Sequence, residues 1–194
     1  MRNIIVILAL TSFLCLPTDL QAHVISGSGF TNGLAHPLFG LDHLLAMVAV
    51  GILGAKIGGK AIYLLPCTFI FSMMIGLGTF FINISPPLTE IGINGSLIYF
   101  GILIALAKEM KLTSTLGGVA FFAFFHGHSH GEEWFIVHHA TAYFAGLLLM
   151  TALLHISGVG LGILGRKHFT IQKALQLSGF TMSALGVYFL LPNL

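Results

Sequence analysis

Three of the chain's ten histidines and two of its acidic residues fall within nine positions, Phe125-His126-Gly127-His128-Ser129-His130-Gly131-Glu132-Glu133. The stretch directly follows an apolar run, Leu116 to Phe125. If the helix of that run continues, His126, His130 and Glu133 recur at i, i+4 and i+7 and share one face. Two imidazoles and a carboxylate on one stripe make half of a site for a divalent transition metal, since imidazole suits nickel, cobalt, copper and zinc. The plain alternative is a histidine-rich surface loop that caps a helix.

A second stretch carries the same residue types: His36-Pro37-Leu38-Phe39-Gly40-Leu41-Asp42-His43, running on to Met47 and Gly51. Pro37 suits a first helical turn, where its missing N–H is not needed. His36 and His43 are expected on one helix face, with Asp42 beside them and the Met47 thioether one turn below His43. At about 1.5 Å of rise per residue, His43 sits roughly 10 Å deeper than His36. His126 lies at a similar depth on its own helix. Asp42, His43, His126 and His130 are therefore expected to form one shared site, with His36 and Glu133 nearer its mouth. Taken separately, each motif also reads as a hydrogen-bonded structural pair.

Composition sets the environment in which those groups must sit. Hydrophobic residues make up 56% of the 194 positions and charged residues 7%, with a mean hydropathy of +0.98. Ordinary soluble domains carry about 25% charged residues, so a water-facing surface cannot be built from this chain. An all-α polytopic membrane protein is expected, and ionisable groups at membrane depth default to a functional reading. The net charge of +2 implies no nucleic-acid partner, because the basic residues are used otherwise. The partners implied are a divalent metal ion and the lipid bilayer, and self-association into a homo-oligomer stays open.

Met1-Arg2-Asn3 followed by Ile4 to Leu16 has the form of a basic n-region and an apolar h-region. Leu20-Gln21-Ala22 makes a passable small-residue cleavage site, so residues 1–22 read as a cleaved signal peptide. A lipoprotein signal at Cys15 is disfavoured by the bulky Phe13-Leu14 before it. Cleavage leaves residues 23–194 as one six-helix transmembrane domain. It also leaves His23 first, where its amine and imidazole could chelate a metal or simply begin a polar tail. Apolar segments fall at roughly 35–55, 61–84, 91–107, 113–131, 137–164 and 171–191, each expected to span. With His23 outside, the loops holding Lys56 and Lys60, Lys108 and Lys111, and Arg166, Lys167 and Lys173 all face inward. Every basic residue of the mature chain then obeys the positive-inside rule, and both termini are periplasmic in an inner-membrane protein.

Other polar residues are weaker candidates. His128 fills a neighbouring position that could add a ligand. His138 and His139, at the start of the fifth segment, read as an extension of the path or as interfacial histidines. His155, deeper in the same segment, reads as packing or as an exit relay. Most of the 24 glycines are expected to be helix-packing positions. Gly127-His128-Ser129-His130-Gly131 matches G-x-S-x-G, but that motif needs a strand–turn–helix setting, and no strand signal precedes it.

Together the two motifs resemble those of the HupE/UreJ family of nickel and cobalt permeases, found with hydrogenase and urease systems. The family's HPxxGxDHxxxMxxxG is met by His36, Pro37, Gly40, Asp42, His43, Met47 and Gly51. Its FHGxAHGxE is met by Phe125, His126, Gly127, His130, Gly131 and Glu133, with Ser129 where alanine is usual. The resemblance spans essentially the whole chain. It implies secondary import of Ni²⁺ or Co²⁺ as substrate, with no resident cofactor, no ATPase and no catalysis; no Walker-type G-x-x-x-x-G-K-[ST] is present. The other class left open is an intramembrane metal-dependent hydrolase, in which a His/Asp-held metal activates water.

N-terminal sequencing of the purified protein should begin at His23, and an intact Met1 would overturn the signal peptide. A reporter fused after Leu194 should be active on the periplasmic side.

Overall fold

A computed structural model describes residues 29–83, 88–106, 110–132, 137 and 139–193. The expected signal peptide, His23, Glu133, His138 and Leu194 lie outside the described residues. Within them the chain is all helical: α1 (Gly29–Phe39), α2 (Leu41–Ile57), α3 (Ala61–Phe81), α4 (Thr89–Ala105), α5 (Leu112–Glu132), α6 (Ala140–Lys167) and α7 (Phe169–Leu190), then a short 3₁₀ turn, Leu191–Asn193.

Each expected segment holds a helix among the described residues, but the first one differs in kind. It is two helices, α1 and α2, bent by 81° at Gly40. Gly40 is extended there, at φ −83° and ψ 100°, and serves as the N-cap of α2. Pro37 therefore sits in the last turn of α1 rather than in a first turn. Pro37 cannot donate to the preceding turn, so α1 carries one missing backbone bond just before it ends. The single helical face drawn through His36 and His43 does not exist.

By length and apolarity, α3 and α6 can each cross a membrane, and the bent pair α1–α2 adds a third candidate if it counts as one span. The expectation that every segment spans is met only to that extent. Helix α4 is apolar but 17 residues long. Helix α5 has the length, yet spends its last turns on His126, His128, Ser129 and His130.

Helix α2 is the core of the bundle. Ala46, Met47, Ala49, Val50, Leu53 and Ala55 are all essentially buried, on every side of the helix, as expected of one wrapped by others. Helix α6 covers one side of it, and α3 and α4 the others, while α3 packs on α5, α4 on α7 and α1 on α6. Small residues set the approach distances. A side chain at Gly51 would run into the His155 carbonyl, and one at Gly158 into the Val48 carbonyl. Backbone meets backbone at that crossing, which is what glycine permits between apolar helices. The neighbours Gly51–His155, Ala55–Gly162 and Gly58–Arg166 succeed one another, so α2 and α6 run side by side in the same direction.

One end of the bundle is held by cations. Lys56 Nζ donates to the Leu103, Ile104 and Leu106 carbonyls at 2.8, 2.9 and 2.6 Å, closing the C-terminus of α4 where orphan acceptors collect. Arg166 donates to the Ala55 carbonyl at 3.2 Å. Lys56 is thus a helix cap as well as a loop charge.

Gly158→Val should force α2 and α6 apart at a fully packed crossing. A loss of about 1–3 kcal/mol is expected for such overpacking, read as a lower unfolding midpoint in detergent.

Candidate metal site

The bend at Gly40 is what brings the first motif together. Helix α1 delivers His36 from one direction and α2 delivers Asp42 and His43 from another, leaving the two imidazole centres 6.1 Å apart. A side chain at Gly40 would press within 3.2 Å of Asp42 Oδ1 and 3.4 Å of His43 Nδ1. Glycine there leaves the pair its full room, where a side chain would make the Asp42 and His43 atoms give by a few tenths of an ångström. Asp42 Oδ1 accepts from both the backbone N–H and Nδ1 of His43, each at 2.8 Å. A carboxylate bonded to Nδ1 fixes that nitrogen as the protonated one and leaves Nε2 as the basic nitrogen, the arrangement usual for metal-binding histidines.

Helix α5 supplies the second motif, and here the expected continuation of the helix through the histidines is what forms. His126 and His130 are both buried on the face turned toward α2. Their ring centres each lie 4.8 Å from that of His43, and the His130 ring lies 5.1 Å from that of His36. His36, His43, His126 and His130 thus form one chain of neighbouring imidazoles drawn from three helices.

The protonation of His126 follows from its neighbour. Ser96 Oγ, on α4, donates to the Ile93 carbonyl at 2.6 Å, so its lone pair receives the His126 Nε2–H at 3.1 Å. The remaining nitrogen, Nδ1, is a bare lone pair in a fully buried ring with no hydrogen-bond partner among the described residues. Buried polar atoms are normally satisfied, so this one is a candidate acceptor for a bound cation or proton donor.

Two imidazoles on one ion, at a metal–nitrogen distance of about 2.1 Å, put their ring centres roughly 4.5–5.2 Å apart. The His43–His126, His43–His130 and His36–His130 spacings fall in that range, while His36–His43 at 6.1 Å falls outside it. The rings stand edge to face or tilted, and no three His, Cys, Asp or Glu side chains among the described residues converge as a finished metal cage. Ligation by three rings requires them to turn in place.

The other candidates separate. Met47 is fully buried one turn beyond His43. His128 faces α3, its Nδ1 bonded to Thr79 Oγ1 at 2.9 Å. Because that hydroxyl donates to the Gly76 carbonyl, His128 is the donor. His139 is exposed and caps α6 with a positive φ of 58°. Neither belongs to the ring chain. Sequence reasoning missed Ser96, Tyr143, whose ring lies 5.8 Å from that of His36, and Phe69, 5.5 Å from His126. Ser96 had one readable signal, as a polar residue inside the apolar run of α4.

An apolar cleft of about 330 Å³ also reaches His130, between Met73, Met74, Leu77 and Phe144. Its hydrocarbon lining makes it a poor route for a hydrated cation.

Bent helices, glycine crossings and buried imidazoles define a helical protein of membrane type built around a polar centre. The family model described as HupE / UreJ protein matches residues 11–189, and the chain belongs to that family. It is similar to Protein HupE of Rhizobium leguminosarum bv. viciae, 41% identical over 155 residues, covering 78% of this chain and 80% of the relative. No solved structure matches.

Nitrogen NMR of labelled histidine should show His126 as the Nε2–H tautomer. Ser96→Ala should strand that N–H and cost about 1–3 kcal/mol, the usual penalty for a buried unmade bond, read by thermal unfolding.

Proposed function

We propose that this protein is a secondary permease that carries Ni²⁺ or Co²⁺ inward across the cytoplasmic membrane without ATP. In this reading it crosses the bilayer six times with both termini periplasmic, and the metal serves hydrogenase or urease maturation. The observation that carries the reading is the run of four histidine rings from α1, α2 and α5. Three of its spacings suit shared ligation, and Asp42 is bonded into it. Family membership supports the same conclusion.

His43, His126 and His130 are assigned as ligands, with His36 and Glu133 toward the mouth. Imidazole nitrogens bind first-row divalent ions well without the charge that would trap them. Asp42 acts through His43, holding its ring and balancing part of the cargo's charge, since a buried ion without a counter-charge is costly. Met47, one turn deeper, offers a thioether along the same helix.

Isotope uptake of nickel and cobalt in cells lacking other importers tests this directly. His43→Ala and His130→Ala should each reduce uptake about 100-fold at unchanged protein level, and Asp42→Asn about 10–100-fold, as for other metal sites that lose a supporting carboxylate. Uptake should also fall as external pH is lowered, because protons compete for the same nitrogens. Near wild-type uptake by both alanine variants would overturn the proposal.

A further inference from the structure

The ring chain does not account for all of the buried polar groups. His155 on α6 is 1% exposed and Thr151, one turn before it, is 0% exposed. Neither ring nitrogen of His155 has a hydrogen-bond partner among the described residues, and nor does Thr151 Oγ1. At i and i+4 the two side chains share one face of α6. That face is turned into the bundle, because the His155 backbone lies against Gly51 at the α2–α6 crossing. Gly51 is eight residues past His43, so the His155 backbone lies roughly 12 Å further along α2 than the His43 backbone.

One aromatic ring separates the two levels. Phe69, fully buried on α3, has its ring centre 5.5 Å from that of His126 and 5.0 Å from that of His155. It touches the innermost outer ligand on one side and the inner histidine on the other. Two unpartnered polar side chains behind an aromatic partition are hard to explain as packing, since leucine and valine would fill the same space without stranding polar atoms.

We propose that His155 and Thr151 form a second, inner station for the divalent metal, reached from the outer histidines past the ring of Phe69. An imidazole nitrogen and a hydroxyl oxygen give it neutral donors only. Unlike the outer site, it has no carboxylate bonded to its histidine. It holds the ion more weakly, and that order suits conduction, in which each site must also let go. The inference rests on the permease reading for its direction of travel, but not for the site itself.

The test uses His155→Phe and Thr151→Val in the full chain, both close to volume-conserving. If these side chains are ligands, replacing stranded polar groups by apolar ones should leave the thermal midpoint in detergent unchanged or raised. Maximal nickel uptake should fall about tenfold or more for His155→Phe, as for loss of a metal-site group. The half-saturating nickel concentration should move by less than about twofold, since the outer site still captures the ion. If they are a structural pair, both substitutions lower the midpoint, and uptake falls only in proportion to the folded protein; that result would falsify the station. So would undiminished uptake by His155→Phe. If the wild-type chain takes up neither nickel nor cobalt, the permease reading fails by itself. The station is then decided by cobalt(II) absorption of purified His43→Ala protein: a ligand-field band lost on adding His155→Phe supports it, and an unchanged spectrum overturns it.

Discussion

A carboxylate and an imidazole adjacent in sequence, Asp42 and His43, are held in one 2.8 Å bond that the rest of the site depends on. The bond fixes which nitrogen of His43 is basic, and His43 is the ring that both His126 and His130 approach. It forms where the chain turns at Gly40, and a side chain there would press on both partners. The turn itself is made by an extended glycine that opens α2, with Pro37 in the last turn of α1. A local backbone choice thus determines the protonation of a buried ring three residues beyond the cap.

The bundle around this pair is arranged to keep it fixed while leaving little else polar. Glycine-mediated crossings bring α6 onto α2 and α3 onto α5, the latter through Gly76 against the Phe124 carbonyl and Gly127 against the Met73 carbonyl. Hydroxyls that would otherwise be stranded are turned back onto their own helices, as in Ser96 to Ile93 and Thr79 to Gly76. That habit does more than satisfy donors. It leaves each hydroxyl oxygen as an acceptor, and the histidine beside it is obliged to present an N–H. His126 and His128 are oriented by the same device, but only His126 faces the other rings.

Much of this was legible in the sequence, and the reasons for the misses are specific. Helix positions followed from apolar runs, and the pairing of the two motifs followed from residue type and spacing. The helical path through His126 and His130 is local periodicity, which sequence carries well. The 81° bend was not legible, because a proline fits a first turn as well as a last one, and only the tertiary setting chooses. His36 and His43 meet all the same, across a corner instead of along a face. Ser96 and Phe69 were missed because their roles come from neighbours thirty or more positions away. His128 was left open by its motif and is settled by Thr79, a residue on another helix. Lys56 read as a loop charge because a capping role depends on where α4 ends in space.

The four rings come from three helices, of which α5 is distant along the chain from α1 and α2, which has a thermodynamic consequence for an ion bound among them. Such an ion would be a cross-link as well as the cargo of the proposed function. Whatever it gains from binding the folded arrangement is added to the stability of that arrangement, by about 2.7 kcal/mol at a free concentration 100-fold above the dissociation constant. Under the proposed function, a protein built this way is firmest when its supply is plentiful and loosest when it is scarce, so its own abundance becomes coupled to the availability of the proposed cargo.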